Sequence, residues 1–257
     1  MRKISSIFVL FFYVFMTGCS IKEDRSMCPC RLVLDFSDVD TVVVKSLNVR
    51  AIHEGRVILD DVVSASEFAN SCVYEIPRCC PLVNVWSGGD GRLDDHGVVI
   101  PFGCECPPLY MYSFVADAMG EICVEKVNMH KNHCRLTVKV EGMEQVPYSL
   151  TFYGNVDGYG LDGRPSSGDF SCVAYPDDQG GAQSLLPRQL DSSLMLEVDD
   201  GTSESKVFAI GQHIVSSGYD WTAEDLEDVT VILDYYVTYV QVLIQRWDKE
   251  YFYNITL

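Results

Sequence analysis

Arg31-Leu32-Val33-Leu34-Asp35-Phe36 puts Leu, Leu and Phe at every second position, with Arg, Val and Asp between them. Successive side chains of a β-strand point to opposite faces, so this spacing gives one face to a core and the other to solvent, whereas a helix needs repeats of three and four. The alternation returns at Leu136, Val138 and Val140, set between Arg135, Thr137 and Lys139. It returns again at Leu194, Leu196 and Val198, set between Ser193, Met195 and Glu197. Further apolar runs at 41–52, 81–87, 109–117, 120–127, 147–153, 206–210 and 229–247 are rich in Val, Ile, Tyr and Phe, which fit a pleated surface. Turn-forming stretches separate them: Gly88-Gly89-Asp90-Gly91, the Gly- and Asp-rich 157–168, and Asp199-Asp200-Gly201. Many short strands between frequent turns predict an all-β fold, a sandwich or barrel rather than βαβ units. Helix is expected only at 222–227, where Thr222 precedes Ala223-Glu224-Asp225 as an N-cap with acidic first-turn residues, and as a single turn at 64–70.

The start of the chain has a different character. Arg2 and Lys3 precede an apolar run at 4–15, then Met16-Thr17-Gly18 and Cys19. The run is shorter than the roughly 20 apolar residues of a membrane span and suits an export signal's apolar region. Small residues before a cysteine make Cys19 the expected lipidation site and first mature residue, with palmitate among its acyl chains; Phe15 or Met16 stands where Leu is usual. Residues 1–18 are then a lipoprotein signal peptide. Residues 19–27 are a polar tether whose Lys22-Glu23-Asp24 resembles the export signal of Bacteroidetes-type surface lipoproteins. The expected location is the cell outer membrane, surface-exposed and held by lipid.

The chain carries a formal charge of −18, and loss of Arg2 and Lys3 with the signal takes the mature form to about −20. Such a balance repels phosphate backbones, so no nucleic-acid partner is expected. Beyond Cys19 there are ten cysteines: Cys28, Cys30, Cys72, Cys79, Cys80, Cys104, Cys106, Cys123, Cys134 and Cys172. An even number in an exported chain suits disulfides, with the pairing left open. Metal-binding pairs are the alternative, but Cys28-Pro29-Cys30, Cys79-Cys80 and Cys104-Glu105-Cys106 are more closely spaced than zinc ligands usually are. The cysteine-rich part ends near residue 127, which places an N-terminal β-domain at 28–127 and a C-terminal one at 128–257.

Candidate chemical sites are few. His130, His133 and Cys134 could form a metal site, though a solvated loop is the plainer reading. Asp157, Asp162 and Asp169 offer oxygen ligands for calcium but lack EF-hand spacing. Tyr235, Tyr236, Tyr239, Trp247, Tyr251, Phe252 and Tyr253 could line a sugar-binding face, or fill a core and a terminal edge strand. No nucleophile elbow or phosphate loop occurs. No enzymatic role, cofactor or metal is expected.

Several segments, in order, resemble one family. They are Cys19, Cys28-Pro29-Cys30 leading into 31–36, Leu136-Thr137-Val138, Leu186-Pro187-Arg188 before Leu194-Met195-Leu196, and Trp221-Thr222-Ala223-Glu224-Asp225-Leu226 before two closing strands. Together the chain is similar to the FimB-type (FimB/Mfa-like) anchor subunits of type V fimbriae in Bacteroidales. The resemblance implies two tandem transthyretin-like β-sandwiches and no enzymatic activity. It also implies a role in attaching a fimbrial shaft subunit to the outer membrane, with a limit on shaft length and joining by strand exchange. Shaft subunits of this kind lose their first strand at an Arg. Cutting here at Arg25 or Arg31 would detach the lipid, so the first strand is expected to stay and the segment 249–257 to engage the shaft. The alternative is a surface lipoprotein that binds glycan for a sugar-uptake system.

Overall fold

A computed structural model describes residues 28–68, 71–88, 93–94, 97–142, 147–178, 180–201, 205–236, 239–245 and 250–256, with backbone alone described at 93–94, 239–240, 245 and 250–256. Apart from turns and loops, the described residues are almost wholly β. In order the strands are β1 (Cys30–Asp35), β2 (Ser46–His53), β3 (Arg56–Ser64), β4 (Cys72–Ile76), β5 (Leu82–Ser87), β6 (Leu93–Asp94), β7 (Gly97–Val99), β8 (Tyr110–Val115), β9 (Ile122–Lys126) and β10 (His130–Lys131). They continue as β11 (His133–Glu141), β12 (Ser149–Gly160), β13 (Pro165–Ala174), β14 (Gly181–Pro187), β15 (Met195–Asp199), β16 (Lys206–Phe208), β17 (Asp228–Asp234), β18 (Tyr239–Gln245) and β19 (Glu250–Thr256); among the described residues one helix, α1 (Ile210–Ser216), precedes β17.

The strands form four sheets. Two belong to the first half: β4-β1-β9, and β10-β8-β5-β2-β3. Two belong mainly to the second: β14-β11-β17-β18-β19, and β16-β15-β12-β7-β6 with β13 also on β12. β1 runs antiparallel to β4 and parallel to β9, and β11 runs parallel to β17. The alternation of residues 31–36 has its expected result: Leu32, Leu34 and Phe36 are buried, while Arg31 is exposed.

Two apolar cores follow. The first gathers Leu32, Leu34, Phe36, Leu47, Val49, Ile76, Val83, Val85 and Val127. The second gathers Leu136, Val138, Leu150, Phe152, Phe170, Leu186, Leu196, Val229 and Val231, and also takes in Trp86, Val98, Ile100, Leu109 and Met111 from earlier in the chain. The stretch from β7 to the start of β8 is thus laid into the second core. Two glycines permit this. A Cβ at Gly97 (φ 129°) would lie 1.9 Å from the Tyr159 carbonyl oxygen, and one at Gly158 would lie 2.1 Å from that of Val98. Only hydrogen fits where β7 meets β12.

Three expectations differ from the structure. Residues 222–227 are not helical. Asp220 accepts hydrogen bonds from the Thr222 backbone and hydroxyl, and the carbonyls of Trp221, Ala223 and Glu224, which a helix would spend on its own N–H groups, are taken by Arg188. The helix that does form, α1, sets Ile210 and Ile214 one turn apart into the core. All ten described cysteines are free thiols where pairing was expected. Cys30, Cys106, Cys134 and Cys172 are buried as small apolar side chains. In place of the helical turn expected at 64–70, residues 65–68 form a hydrogen-bonded turn, in which the Ser64 N–H and hydroxyl both donate to the Glu67 carboxylate and Glu67 N–H donates to Ser64 O.

Candidate assembly surfaces and the junction that holds them

Leu186-Pro187-Arg188 ends β14 with its leucine in the core, which carries the Arg188 side chain inward; the residue is 9% exposed. The guanidinium donates to the Asn132 side-chain oxygen (3.2 Å) and to the backbone carbonyls of Trp221 (2.8 Å), Ala223 and Glu224 (2.9 Å). Its own backbone N–H donates to the Tyr159 hydroxyl, which donates to the Asn132 carbonyl (2.5 Å). Asn132 N–H in turn donates to Leu109 O (2.9 Å), and Leu226 N–H to Lys131 O (3.0 Å). A buried cation with four acceptors is well satisfied; stripped of them it would be costly. The network ties the loop at 221–226 to the strand that leaves the first half. Burial pushes the Tyr159 hydroxyl far above its ordinary pKa, so it stays a donor.

Beside this network the two halves enclose a cleft of about 730 Å³. Its apolar floor includes Val39, Val44, Met129 and Leu226, and its walls carry Asp38, Asp40, Asp225, Asp228 and Lys131. Several of these charges are engaged: Lys131 with Asp228 at 2.5 Å, and Asp38 with Lys126 at 2.7 Å. The three residues read as a potential metal site part company here. His133 is buried with Nδ1 on Leu109 O (3.1 Å), and burial lowers its pKa to about 4. His130 turns to Asp225 (3.5 Å). Cys134 sits in the core, pushed up to about 12 by burial. Among the described residues no group of three His, Cys, Asp or Glu is arranged around a common ion position. That holds for Asp157, Asp162 and Asp169 too: Asp162 is engaged by the Arg164 N–H (3.1 Å) and Asp157 lies against Gly168.

A second, smaller cavity of about 390 Å³ lies on the solvent face of the β14-β11-β17-β18 sheet. Register explains its lining. Gln183, Thr137, Thr230 and Leu243 are cross-strand neighbours in one row, and Arg135 and Lys139 flank Thr137 on β11. Alternation sends all of these outward while Leu136, Val138 and Val229 face the core. Gly181 leaves the floor open beside Thr137 and Lys139. Sequence reading had assigned no role to this row, although the Arg135-Thr137-Lys139 spacing was visible in it.

The remaining surfaces are strand edges. β1 is the middle strand of its sheet, between β4 and β9. β19 is the last described strand of its sheet, paired to β18 from Tyr239↔Thr256 to Gln245↔Glu250. The aromatic set divides. Tyr235 is buried beneath Lys206, whose Nζ lies 3.8 Å from the ring centroid, and Tyr236 is 70% exposed. The side chains of Tyr239, Tyr251, Phe252 and Tyr253 lie outside the described residues, as do Trp247, Cys19 and Arg25. No described helix is long and apolar enough to cross a membrane.

No protein-family model matches the sequence, and no curated protein matches it. Solved structures do. The fimbrial anchor protein Mfa2 from Porphyromonas gingivalis superposes with a TM-score of 0.58 at 14% identity, over 86% of this chain and 98% of that one. A protein from Bacteroides thetaiotaomicron named for proposed polysaccharide binding (DUF1812) also scores 0.58 at 12% identity, covering 88% and 98%. A proposed adhesin from Bacteroides ovatus scores 0.55 at 12% identity, covering 88% and 96%. The chain shares its all-β fold with these proteins along nearly its whole described length, and its structural neighbours include the fimbrial anchor protein Mfa2 and proteins described as adhesins or polysaccharide binders.

Proposed function

We propose that the chain is a lipid-tethered structural subunit of a fimbria, which attaches the shaft to the outer membrane through Cys19 and limits its length. The observation that carries this is the shared fold with the Mfa2 anchor over 98% of that protein. The arrangement of strands supports it. Cleavage at Arg31 would fall inside β1, leaving Leu32–Asp35 between β4 and β9, and would sever the tether, so no cut between lipid and core frees the place of this strand. A subunit that keeps β1 ends a strand-exchange chain rather than extending it. In this reading 28–127 and 128–257 are its two sandwich units, and the β19 edge is the surface that meets the shaft subunit, since an edge strand offers a row of backbone groups to another chain.

The test is made in cells with two variants. Cys19→Ala is expected to release the protein into the medium with fimbriae attached. Deletion of 249–257 is expected to leave the protein in the membrane fraction while fimbriae are shed. Cell-bound fimbriae in both variants would overturn the proposal. The groove beside Arg135, Thr137 and Gln183 favours glycan capture as the second reading; measurable glycan affinity with fimbriae unaltered in both variants would select it.

A further inference from the structure

His133 has one nitrogen that the fold does not use. Its Nδ1 lies 3.1 Å from Leu109 O, and a carbonyl only accepts, so Nδ1 carries the ring proton and Nε2 the lone pair. The residue is 4% exposed and borders the cleft of about 730 Å³ between the two halves. Nε2 bonds to no described group, yet it is not sealed from solvent, so it opens to that cleft. Burial lowers the ring's pKa to about 4, which keeps the lone pair available.

The carboxylates of the same cleft are further acceptors. Asp38 and Asp228 are held by Lys126 and Lys131. Asp40 and Asp225 instead take the backbone N–H groups of Val42 (2.8 Å) and Lys131 (2.7 Å), which fix a carboxylate without cancelling its charge; His130 Nδ1 stands 3.5 Å from Asp225. Arg135 is the one lining cation without an ion pair among the described residues. Burial first, and then Asp228, push the Tyr110 hydroxyl up; Asp225 and Asp40 add to this and Arg135 opposes it, so these charges meet at one ring on the cleft wall.

We propose that this cleft receives a basic side chain from an extended segment of the shaft subunit, its cationic head held by His133 Nε2 and the charges of Asp40 and Asp225, its methylene stem on Val39, Val44 and Met129. The identity of the partner rests on the anchor reading; the chemistry of the cleft does not. Lone pairs call for an N–H donor, the carboxylates for a cation, and the floor for an apolar stem. Val42 and Val43, 78% and 51% exposed, carry apolar surface on beyond Val44, which a free amine would leave uncovered and a polypeptide would cover. A second copy of the chain is opposed by its own charge of −18. Position favours the shaft. Asp38 and Asp40 follow the end of β1 away from the tether, and five steps of about 3.3 Å separate Asp35 from Cys30 by roughly 16 Å. Asp228 is paired with Gln245 and Gln245 with Glu250, so the cleft lies two strand spacings, about 10 Å, from the start of the β19 edge. One segment of the partner spans both.

The lipidated full-length protein in detergent, carrying isotope-labelled methionine and histidine, is titrated with acetyl-Leu-Lys-Leu-amide. The Met129 methyl and His133 Nε2 resonances are expected to move together, and the same peptide acetylated on its lysine is expected to move neither. Asp40→Asn/Asp225→Asn keeps the acceptors for Val42 and Lys131 N–H and should weaken the lysyl peptide about tenfold or more. Glu105→Gln/Asp178→Asn makes the same charge change at exposed sites and should leave binding unaltered. No shift with the lysyl peptide, an equal shift with the acetylated one, or equal weakening by the two variants overturns the site. In cells, Asp40→Asn/Asp225→Asn is expected to shed fimbriae while the protein stays in the membrane fraction. Fimbriae retained by this variant but shed when the whole protein is deleted overturn the shaft subunit as occupant. Fimbriae retained on deletion itself remove the anchor reading and this partner with it, while the peptide result still decides the chemistry of the cleft.

Discussion

His133 is neutral because of where it sits. It is 4% exposed, its Nδ1 faces Leu109 O, the Tyr110 ring meets it edge-on at 5.3 Å, and Lys131, Arg135 and Asp228 surround it at longer range. Burial lowers its pKa from 6.5 to about 4. The unfolded chain therefore binds a proton that the native state refuses between those values. The stability contributed by the neutral ring is complete above pH 6.5, falls as pH drops towards 4, and falls no further below that. Comparing urea unfolding at pH 7 and 4.5, His133→Asn, whose amide can still donate to Leu109 O, should lose about 2 kcal/mol less than the parent. Equal losses in the two proteins would refute this assignment. The sequence shows His130, His133 and Cys134 as neighbours but not that one turns to a carboxylate and another into a core. Nor does the triplet Leu186-Pro187-Arg188 disclose that its cation captures three carbonyls some 33 to 36 residues ahead. Side chains that act through distant backbone leave no periodic mark.

Strands were legible because alternation is written locally, and β1, β11 and β15 follow it residue by residue. Helix was less so. The run at 206–210 reads as strand, yet the chain passes from β16 into α1 within it, since seven residues carry too little pattern to reveal a period of 3.6. Thr222-Ala223-Glu224-Asp225 carries a helix-start signal that a tertiary cation overrides. Pairing partners are the least legible feature: nothing around Cys30 announces that β1 will run parallel to β9 some 90 residues on. The seam between β7 and β12 allows a direct check on pairing. Gly158→Ala drives a Cβ to 2.1 Å from Val98 O, with backbone on both sides, and should cost about 2–3 kcal/mol in urea unfolding. Gly120→Ala, where the nearest atom is 3.8 Å away, should change stability by less than about 0.5 kcal/mol. Similar effects at the two sites would mean that β7 is not held against β12 as described.

At the scale of the whole molecule, the division suggested by cysteine content and the physical packing are different things. The first core draws on residues 30–127, but Trp86 and Met111 of its second sheet reach the other core, and Val98, Ile100 and Leu109 lie wholly there. The tip of the β12–β13 hairpin returns the contact, with Gly163 against Ser113. Neither half can open without uncovering the other, so calorimetry should record one cooperative transition; two well-separated peaks would contradict it. Against a formal charge of −18, Arg135 and Lys139 place two cations on one sheet face. The interleaving also sets an order of events in time. As the chain emerges from its N-terminus, Trp86, Val98, Ile100 and Met111 are made early, yet the strands that cover them end only at Ile244. Until those last strands arrive, an apolar surface already complete in sequence stands open to water. Seating it requires contacts of long sequence separation, which form slowly. The seam that joins the finished halves is therefore also the interval in which the unfinished chain is most exposed to aggregation.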